Sequence, residues 1–129
     1  MHTPPKIAII DDDASFRTAL DSLLRARGYT VYPFSSATEF LGSPQFDETC
    51  CVIADVQMPA MSGIELQSVL RKQGRSVPFI FITAFPEETV RARASADGAI
   101  GFLAKPFDSP TLIRCLEAAL RTYRNPASP

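Results

Sequence analysis

The sequence CVIADVQMP, residues 51–59, decides the fold of this chain. Its apolar part predicts a short strand that is buried on both faces of a sheet. A single carboxylate, Asp55, follows where the apolar part ends, and Pro59 prevents further strand pairing. Ser62 and Glu65 then form the pattern of a capping box, which predicts the start of a helix. Asp55 is either an ordinary turn residue or a ligand-binding group, because open α/β sheets bind ligands at the carboxyl ends of their strands.

The pattern of an apolar strand followed by a helix repeats along the chain. Besides the strand in the opening stretch, the predicted strands are Ile7–Ile10, Thr30–Phe34, Phe79–Thr83 and Ala99–Leu103. Apolar residues at helical spacing follow the strands, and a proline in the second strand predicts an edge position. About five strands alternating with about five helices predict an α/β fold, in which helices cover both faces of a mostly parallel sheet.

The helix predicted from Pro86 to Ala96 differs from the others. Pro86 is expected in its first turn, because the fixed backbone angle of proline suits a helix start. The helix carries Val90 and several alanines but few large apolar side chains. We therefore expect it to be only loosely anchored to the sheet.

The composition predicts one domain, since 129 residues suffice for a real hydrophobic core. A formal net charge of −1 argues against a general nucleic-acid or membrane-binding surface, and no apolar run could span a bilayer. The N-terminal residues contain no apolar signal core, so we expect no export. Cys50, Cys51 and Cys115 have neither disulfide-framework nor metal-site spacing, which favours reduced thiols in the cytoplasm. The single histidine, His2, argues against Ser-His-Asp catalysis.

Polar side chains lie at or just past the ends of four of the predicted strands. They are the Asp11 and Asp12 pair, Asp55, Thr83 and Lys105. In a doubly wound sheet the parallel strands end at one edge, so these groups can converge. Three nearby carboxylates repel one another, and a hard divalent cation such as Mg²⁺ offsets that repulsion. A nucleophilic carboxylate, a metal, a lysine and a hydroxyl are the parts needed to hold an aspartyl phosphate.

With these residues in place, the chain from about Lys6 to Arg124 resembles a receiver domain of a bacterial two-component response regulator. The resemblance rests on four motifs in order, namely Asp11-Asp12-Asp13, the segment from Asp55 to Gly63, Thr83-Ala84 and Lys105-Pro106-Phe107. It implies a flavodoxin-like or CheY-like doubly wound sheet of five parallel strands in the order 2-1-3-4-5. Residues 1–124 would form the receiver domain, and residues 125–129 a tail or the start of a linker to an absent output domain.

The resemblance also implies a phosphorylation site and a metal site. Asp55 would accept the phosphoryl group from a phosphohistidine of a sensor histidine kinase. Asp11, Asp12, Asp55 and the backbone carbonyl of Gln57 would hold Mg²⁺ or Mn²⁺. The sequence leaves open which of the three adjacent acids touches the metal, and we assign Asp11 and Asp12 because Asp13 suits a helix cap.

The resemblance also implies that the remaining motif residues bind the phosphoryl group or respond to it. Thr83 and Lys105 would each bind a phosphoryl oxygen, and Thr83 and Phe102 would form a switch. The peptide bond before Pro106 is expected to be cis. The sequence of residues 98–107 is similar to that of the FixJ-like group. Members of this group usually carry a LuxR-type helix-turn-helix after the receiver. We therefore expect a homodimer that forms on phosphorylation, and contact with DNA only through an output domain outside this chain.

Two alternatives remain at this point. A haloacid-dehalogenase-type phosphatase would use Asp11 as nucleophile and Asp13 as acid/base, but it needs a late acidic motif, for which only Asp108 and Glu117 are available. It also leaves Asp55 without a function. The second alternative is a receiver-like module that binds a partner without being phosphorylated. The receiver interpretation describes a regulator rather than an enzyme, with at most self-phosphotransfer and slow autodephosphorylation.

Overall fold

The computed structural model describes residues 4–124, so the predicted tail at 125–129 lies outside the described residues. Five strands alternate with five α-helices in this part of the chain. The strands are β1 (Lys6–Ile10), β2 (Thr30–Phe34), β3 (Cys51–Asp55), β4 (Phe79–Thr83) and β5 (Gly101–Ala104). The helices are α1 (Ala14–Ala26), α2 (Ala37–Leu41), α3 (Gly63–Lys72), α4 (Glu88–Ala96) and α5 (Ser109–Arg124), with one 3-10 turn at Phe46–Glu48. Within residues 4–124, no helix combines the length and apolar character needed to cross a lipid bilayer.

The sheet has the predicted topology. Its strands are all parallel and lie in the order β2-β1-β3-β4-β5, which confirms the doubly wound, five-stranded fold. Pro33 lies in β2, an edge strand, where its missing N–H costs little. The central strand β3 is buried along its whole length. The chain changes winding direction between β1 and β3, so this fold places its ligand-binding crevice at the carboxyl ends of these two strands.

A separate hydrophobic cluster covers each face of the sheet. Alternate residues of β3 supply both clusters: Cys51 and Ile53 pack towards α1 and α5, whereas Val52 and Ala54 pack towards α2 and α3. Because both faces are covered, the inner strands read as continuous apolar runs rather than as alternating patterns. The two packed layers hold the strand ends in fixed positions relative to one another.

Helix α4 begins two residues later than predicted. Glu87 is its N-cap, with an extended backbone (φ −125°, ψ 136°), so Pro86 lies in the preceding loop and the prediction of a helical Pro86 is wrong. The fixed backbone angle of proline suits extended loop segments as well as helix starts. Here Pro86 lies in the loop between β4 and α4. Ala94 is buried, while most side chains of α4 are exposed, which agrees with the expected loose anchoring.

Strand β5 also begins two residues later than predicted, at Gly101. The N–H of Ala99 donates to the carbonyl of Ala94 at the end of α4 (2.9 Å), so Ala99 still belongs to the helix end. The turn that makes this possible contains Gly98 at φ +95°, a conformation that favours glycine.

Gly63 allows the start of α3 to pack directly on the end of β3. Ser62 and Glu65 form the predicted capping box at this helix start. A Cβ atom placed on Gly63 would lie 2.5 Å from the backbone oxygen of Asp55 and 3.0 Å from the ring of Phe81. A backbone carbonyl cannot yield as a flexible side chain can, so the close approach of α3 to the strand end requires glycine here.

Gly63→Ala is therefore expected to lower the free energy of unfolding by about 1–3 kcal/mol, the usual cost of overpacking. Urea denaturation measures this change. Gly42→Ala is the matched control, because a Cβ at Gly42 would meet the Thr38 oxygen at an ordinary 3.6 Å. Its stability should stay within about 0.5 kcal/mol of the parent. Equal losses in the two variants would contradict the packing described for Gly63.

Candidate functional site

The strand ends bring the three predicted acidic residues together. Asp11 follows β1 and Asp55 ends β3; both are buried, at 2% and 8% exposure, whereas Asp12 is exposed. One carboxylate oxygen from each of the three residues lies within 4.8 Å of the other two. The fold therefore places three negative charges at one point of the sheet edge, which is unfavourable unless positive charge is supplied.

Lys105 supplies one positive charge to this cluster. It follows β5 and is joined to Pro106 by a cis peptide bond, as expected. Its Nζ lies 3.1 Å from Oδ2 of Asp11 and 3.2 Å from Oδ2 of Asp55. Burial lowers the pKa of Lys105, but hydrogen bonds and charge interactions with both carboxylates outweigh burial, so the pKa is raised above its usual value. The side chain is therefore a charged ammonium at neutral pH, bonded to both buried acids.

Asp11 is held by the backbone around it. Burial raises the pKa of its carboxyl, and hydrogen bonds from the Asp13 N–H and from Lys105 oppose that rise. The Asp13 N–H donates to Oδ1 of Asp11 at 2.9 Å, and Nη1 of Arg17 donates to the backbone carbonyl of Asp11 at 2.6 Å. The bonds from Asp13 and Lys105 fix the direction of the Asp11 side chain, and the bond from Arg17 holds its backbone after β1.

Asp13 has the capping role expected for it. Its carboxylate accepts a hydrogen bond from the N–H of Phe16 at 3.2 Å and forms the N-cap of α1. The carboxylate is therefore used at the helix start, which does not suit the acid/base role that the phosphatase alternative requires. This observation leaves Asp11 and Asp12 as the members of the triplet that face Asp55.

Thr83 and Gln57 are bonded to one another beside the carboxylates. Thr83 ends β4 and is fully buried, and its Oγ1 donates to Oε1 of Gln57 at 2.9 Å. The same oxygen accepts a hydrogen bond from the N–H of Phe85 at 3.0 Å. The backbone N–H of Gln57 donates to Oδ1 of Asp55 at 3.0 Å. Sequence reasoning singled out the backbone of Gln57 but missed its side chain, since no local pattern indicates a contact between residues 26 positions apart.

Phe16 is a second residue whose place in the site was not predicted. The sequence pattern assigns it to the apolar stripe of α1. In the structure, Nζ of Lys105 lies 4.1 Å from the centroid of its ring, and Phe107 packs edge-on against the same ring at 5.9 Å. A cation over an aromatic face is stabilised by about 0.5–2 kcal/mol. The available signal was an aromatic residue in the first turn of the helix that starts next to the acidic triplet.

Phe102 lies farther from the carboxylates, in β5. It is paired in register with Phe81 of β4 and is partly buried in the hydrophobic cluster on the α4 side of the sheet. A shallow groove between α4 and β5 adjoins it, and Arg91, Ser95 and Ile100 also line this groove. The structure thus places Phe102 between the sheet and α4, and its switching role stays a prediction.

The residues at the sheet edge fit a small divalent cation. Mg²⁺ prefers oxygen ligands and usually takes one or two carboxylates along with water and phosphate oxygens. Asp11, Asp12 and Asp55 offer carboxylate oxygens within reach of a shared ion. Lys105 and the backbone N–H groups bond to both oxygens of Asp11 and of Asp55, but each carboxylate oxygen has two lone pairs and keeps acceptor capacity. The assignment of particular metal ligands stays a prediction.

Comparison with known proteins identifies the family. The sequence model of the response regulator receiver domain matches residues 7–117. The response regulator protein TodT of Pseudomonas putida is 39% identical over 115 residues, which cover 89% of this chain and 51% of TodT. The transcriptional regulatory protein FixJ of Bradyrhizobium diazoefficiens is 36% identical over 121 residues, covering 94% and 59% of the two chains.

A solved structure agrees with these sequence relatives. The response regulator StyR has a TM-score of 0.89 and 36% identity to this chain, covering 98% of this chain and 64% of StyR. This chain spans about half the length of the curated relatives it matches. The fold, the arrangement of the site and these relatives lead to one conclusion: the chain belongs to the response regulator receiver domain family.

Proposed function

We propose that Asp55 accepts a phosphoryl group from the phosphohistidine of a sensor histidine kinase. The observation that supports this most is the Lys105 ammonium, which bonds to Asp55 and Asp11 inside a cluster of three carboxylates. In the transfer, a carboxylate oxygen of Asp55 bonds to phosphorus while the phosphorus–nitrogen bond of phosphohistidine breaks. The imidazole keeps the electron pair of that bond and takes up a proton. Asp55 thus ends as an acyl phosphate.

The other residues of the site bind and orient in this proposal. Asp11, Asp12, Asp55 and the backbone carbonyl of Gln57 would hold Mg²⁺ or Mn²⁺, which when bound neutralises charge on the phosphoryl oxygens. The ammonium of Lys105 contacts Asp55 directly and binds a phosphoryl oxygen once the group has arrived. The receiver does not act as an enzyme on a separate substrate, since the group it receives stays on its own side chain.

The signal leaves the site through Thr83. A hydrogen bond to a charged phosphoryl oxygen is stronger than one to a neutral amide, so the Thr83 hydroxyl moves towards phosphorylated Asp55. The space it leaves lets Phe102 turn inward, away from the groove between α4 and β5. Helix α4 opposes a shift only weakly, because most of its side chains are exposed. The face formed by α4, β5 and α5 then pairs with a second copy of the receiver.

The output of the whole protein is proposed to be transcription. FixJ is named a transcriptional regulatory protein, and the present chain covers only 59% of its length. We place residues 1–124 in the receiver domain and residues 125–129 in a tail or linker that leads to an output domain. DNA would be contacted by that output domain, and the receiver would work in the cytoplasm without a membrane partner. The free thiols of Cys50, Cys51 and Cys115 support a reducing compartment.

Asp55→Asn should abolish phosphorylation. Acetyl phosphate and Mg²⁺ are expected to add one phosphoryl group to the parent, labile at alkaline pH, and intact-protein mass spectrometry detects it. Asp47→Asn serves as the matched control, because Asp47 is an exposed carboxylate on the 3-10 turn and should leave phosphorylation unchanged. Modification of Asp55→Asn as readily as of the parent would place the phosphoryl group elsewhere, and a parent that is never modified would leave the binding-module alternative.

Mg²⁺ should raise the melting temperature of the parent, because it relieves repulsion among carboxylates that folding brings together. Asp12→Ala is expected to lose this rise and to match or exceed the metal-free stability of the parent. Asp13→Ala should keep the full Mg²⁺ response but lose about 1 kcal/mol of stability with its helix cap. Calorimetry with and without Mg²⁺ tests both. A full response in Asp12→Ala would refute the metal role of Asp12, and loss of the response in Asp13→Ala would assign a metal role to Asp13.

The parent should be a monomer that dimerises with beryllofluoride or on phosphorylation. Thr83→Ala is expected to accept phosphate yet dimerise poorly, because no hydroxyl remains to follow the phosphoryl oxygen. Thr83→Ser keeps the hydroxyl and should restore dimerisation. Analytical ultracentrifugation over a wide concentration range measures the mass. Equal masses of the free and beryllofluoride-treated parent would refute this output route while leaving the phosphorylation of Asp55 standing.

A further inference from the structure

The Thr83 hydroxyl already donates its only proton to a hydrogen bond. A threonine hydroxyl donates one hydrogen bond, and here that proton is directed to Oε1 of Gln57 at 2.9 Å. One acceptor position of the same oxygen is taken by the N–H of Phe85 at 3.0 Å. Thr83 is fully buried. The hydroxyl therefore cannot donate to a phosphoryl oxygen on Asp55 until it releases Gln57.

Gln57 contacts both the proposed phosphorylation site, Asp55, and the proposed switch residue Thr83. Its backbone N–H donates to Oδ1 of Asp55 at 3.0 Å, and its side chain accepts from Thr83. The backbone position of Gln57 is thus tied to the phosphorylation site, while the exposed side chain reaches back to the buried threonine. A change of the Gln57 side chain can remove the second contact and leave the first in place.

We propose that the Gln57 side chain is a positioning residue that holds Thr83 in its unphosphorylated arrangement and so sets how readily phosphorylation moves it. The proposal rests on the proposed roles of Asp55 and Thr83. A contact that exists in only one of two states shifts their balance by its own free energy. Loss of the Gln57 acceptor therefore favours the state in which Thr83 bonds to the phosphoryl oxygen.

The loop after β4 extends this effect towards α4. The N–H of Phe85 donates to the same Thr83 oxygen, so a displaced hydroxyl either takes this N–H with it or leaves it to solvent. Phe85 is 72% exposed, and little packing opposes its movement. The segment of residues 84–87 then connects this movement to the start of α4 at Glu88. Gln57 would thus restrain the loop as well as the hydroxyl.

Gln57→Met tests the proposal, because methionine has similar length but only a weak sulfur acceptor. The backbone N–H and carbonyl of residue 57 are kept. Isothermal titration with beryllofluoride at saturating Mg²⁺ measures the dissociation constant, which should fall about fivefold relative to the parent, equivalent to about 1 kcal/mol. Gln73→Met makes the same chemical change at an exposed residue after α3 and should leave the constant unchanged.

The same substitution in a Thr83→Ala background separates positioning from a general effect on the site. Without the hydroxyl, Gln57→Met should leave the dissociation constant of that background unchanged. The proposal is overturned if Gln57→Met leaves the dissociation constant unchanged or raises it in the protein that retains Thr83. It is also overturned if Gln57→Met lowers the constant equally in that protein and in the Thr83→Ala variant. A parent that binds no beryllofluoride overturns the proposed function and this inference together, whereas a parent that binds it without any effect of Gln57→Met overturns only the inference.

Discussion

The site depends on the sharing of one ammonium between two buried carboxylates. Asp11 follows β1 and Asp55 ends β3, and the pairing of these two strands holds the carboxylates close together. Lys105, which follows a third strand, compensates part of their charge, and its ammonium lies over the ring of Phe16. The cluster still carries excess negative charge, since exposed Asp12 adds a third carboxylate. A site of this kind fits a divalent cation, and in the proposed function the carboxylate of Asp55 is already in place as the nucleophile.

The region that is proposed to move makes fewer packing contacts than the region that is proposed to bind. The strand ends that hold the carboxylates belong to the sheet, whose inner strands are buried on both faces, and Gly63 adds the close packing of α3 against β3. Helix α4, in contrast, exposes most of its side chains. Thr83 lies at the boundary between these regions, with a hydroxyl that can serve one acceptor at a time. A rigid site beside a weakly held helix is an arrangement in which a small chemical change can select between two conformations.

Local sequence patterns were sufficient for most of the fold. Continuous apolar runs predicted the inner strands because both of their faces are covered, and Pro33 correctly predicted an edge strand. The capping box at Ser62 and the cap at Asp13 also depend only on near neighbours in sequence. The two errors, the helical position of Pro86 and the early start of β5, arose at the ends of α4. Few apolar contacts define that helix, so its bounds follow from the course of the adjoining loops.

The sequence by itself determined which polar groups end the strands, because a carboxylate after an apolar run is visible without a structure. It also determined that these groups converge, since parallel strands deliver their carboxyl ends to one edge. Only the tertiary structure decided which atoms bond. Lys105 reaches Asp11 across 94 positions, and Thr83 reaches the side chain of Gln57 across 26. Such contacts depend on side-chain direction and burial at a place where several elements meet, and no periodicity within one element encodes them.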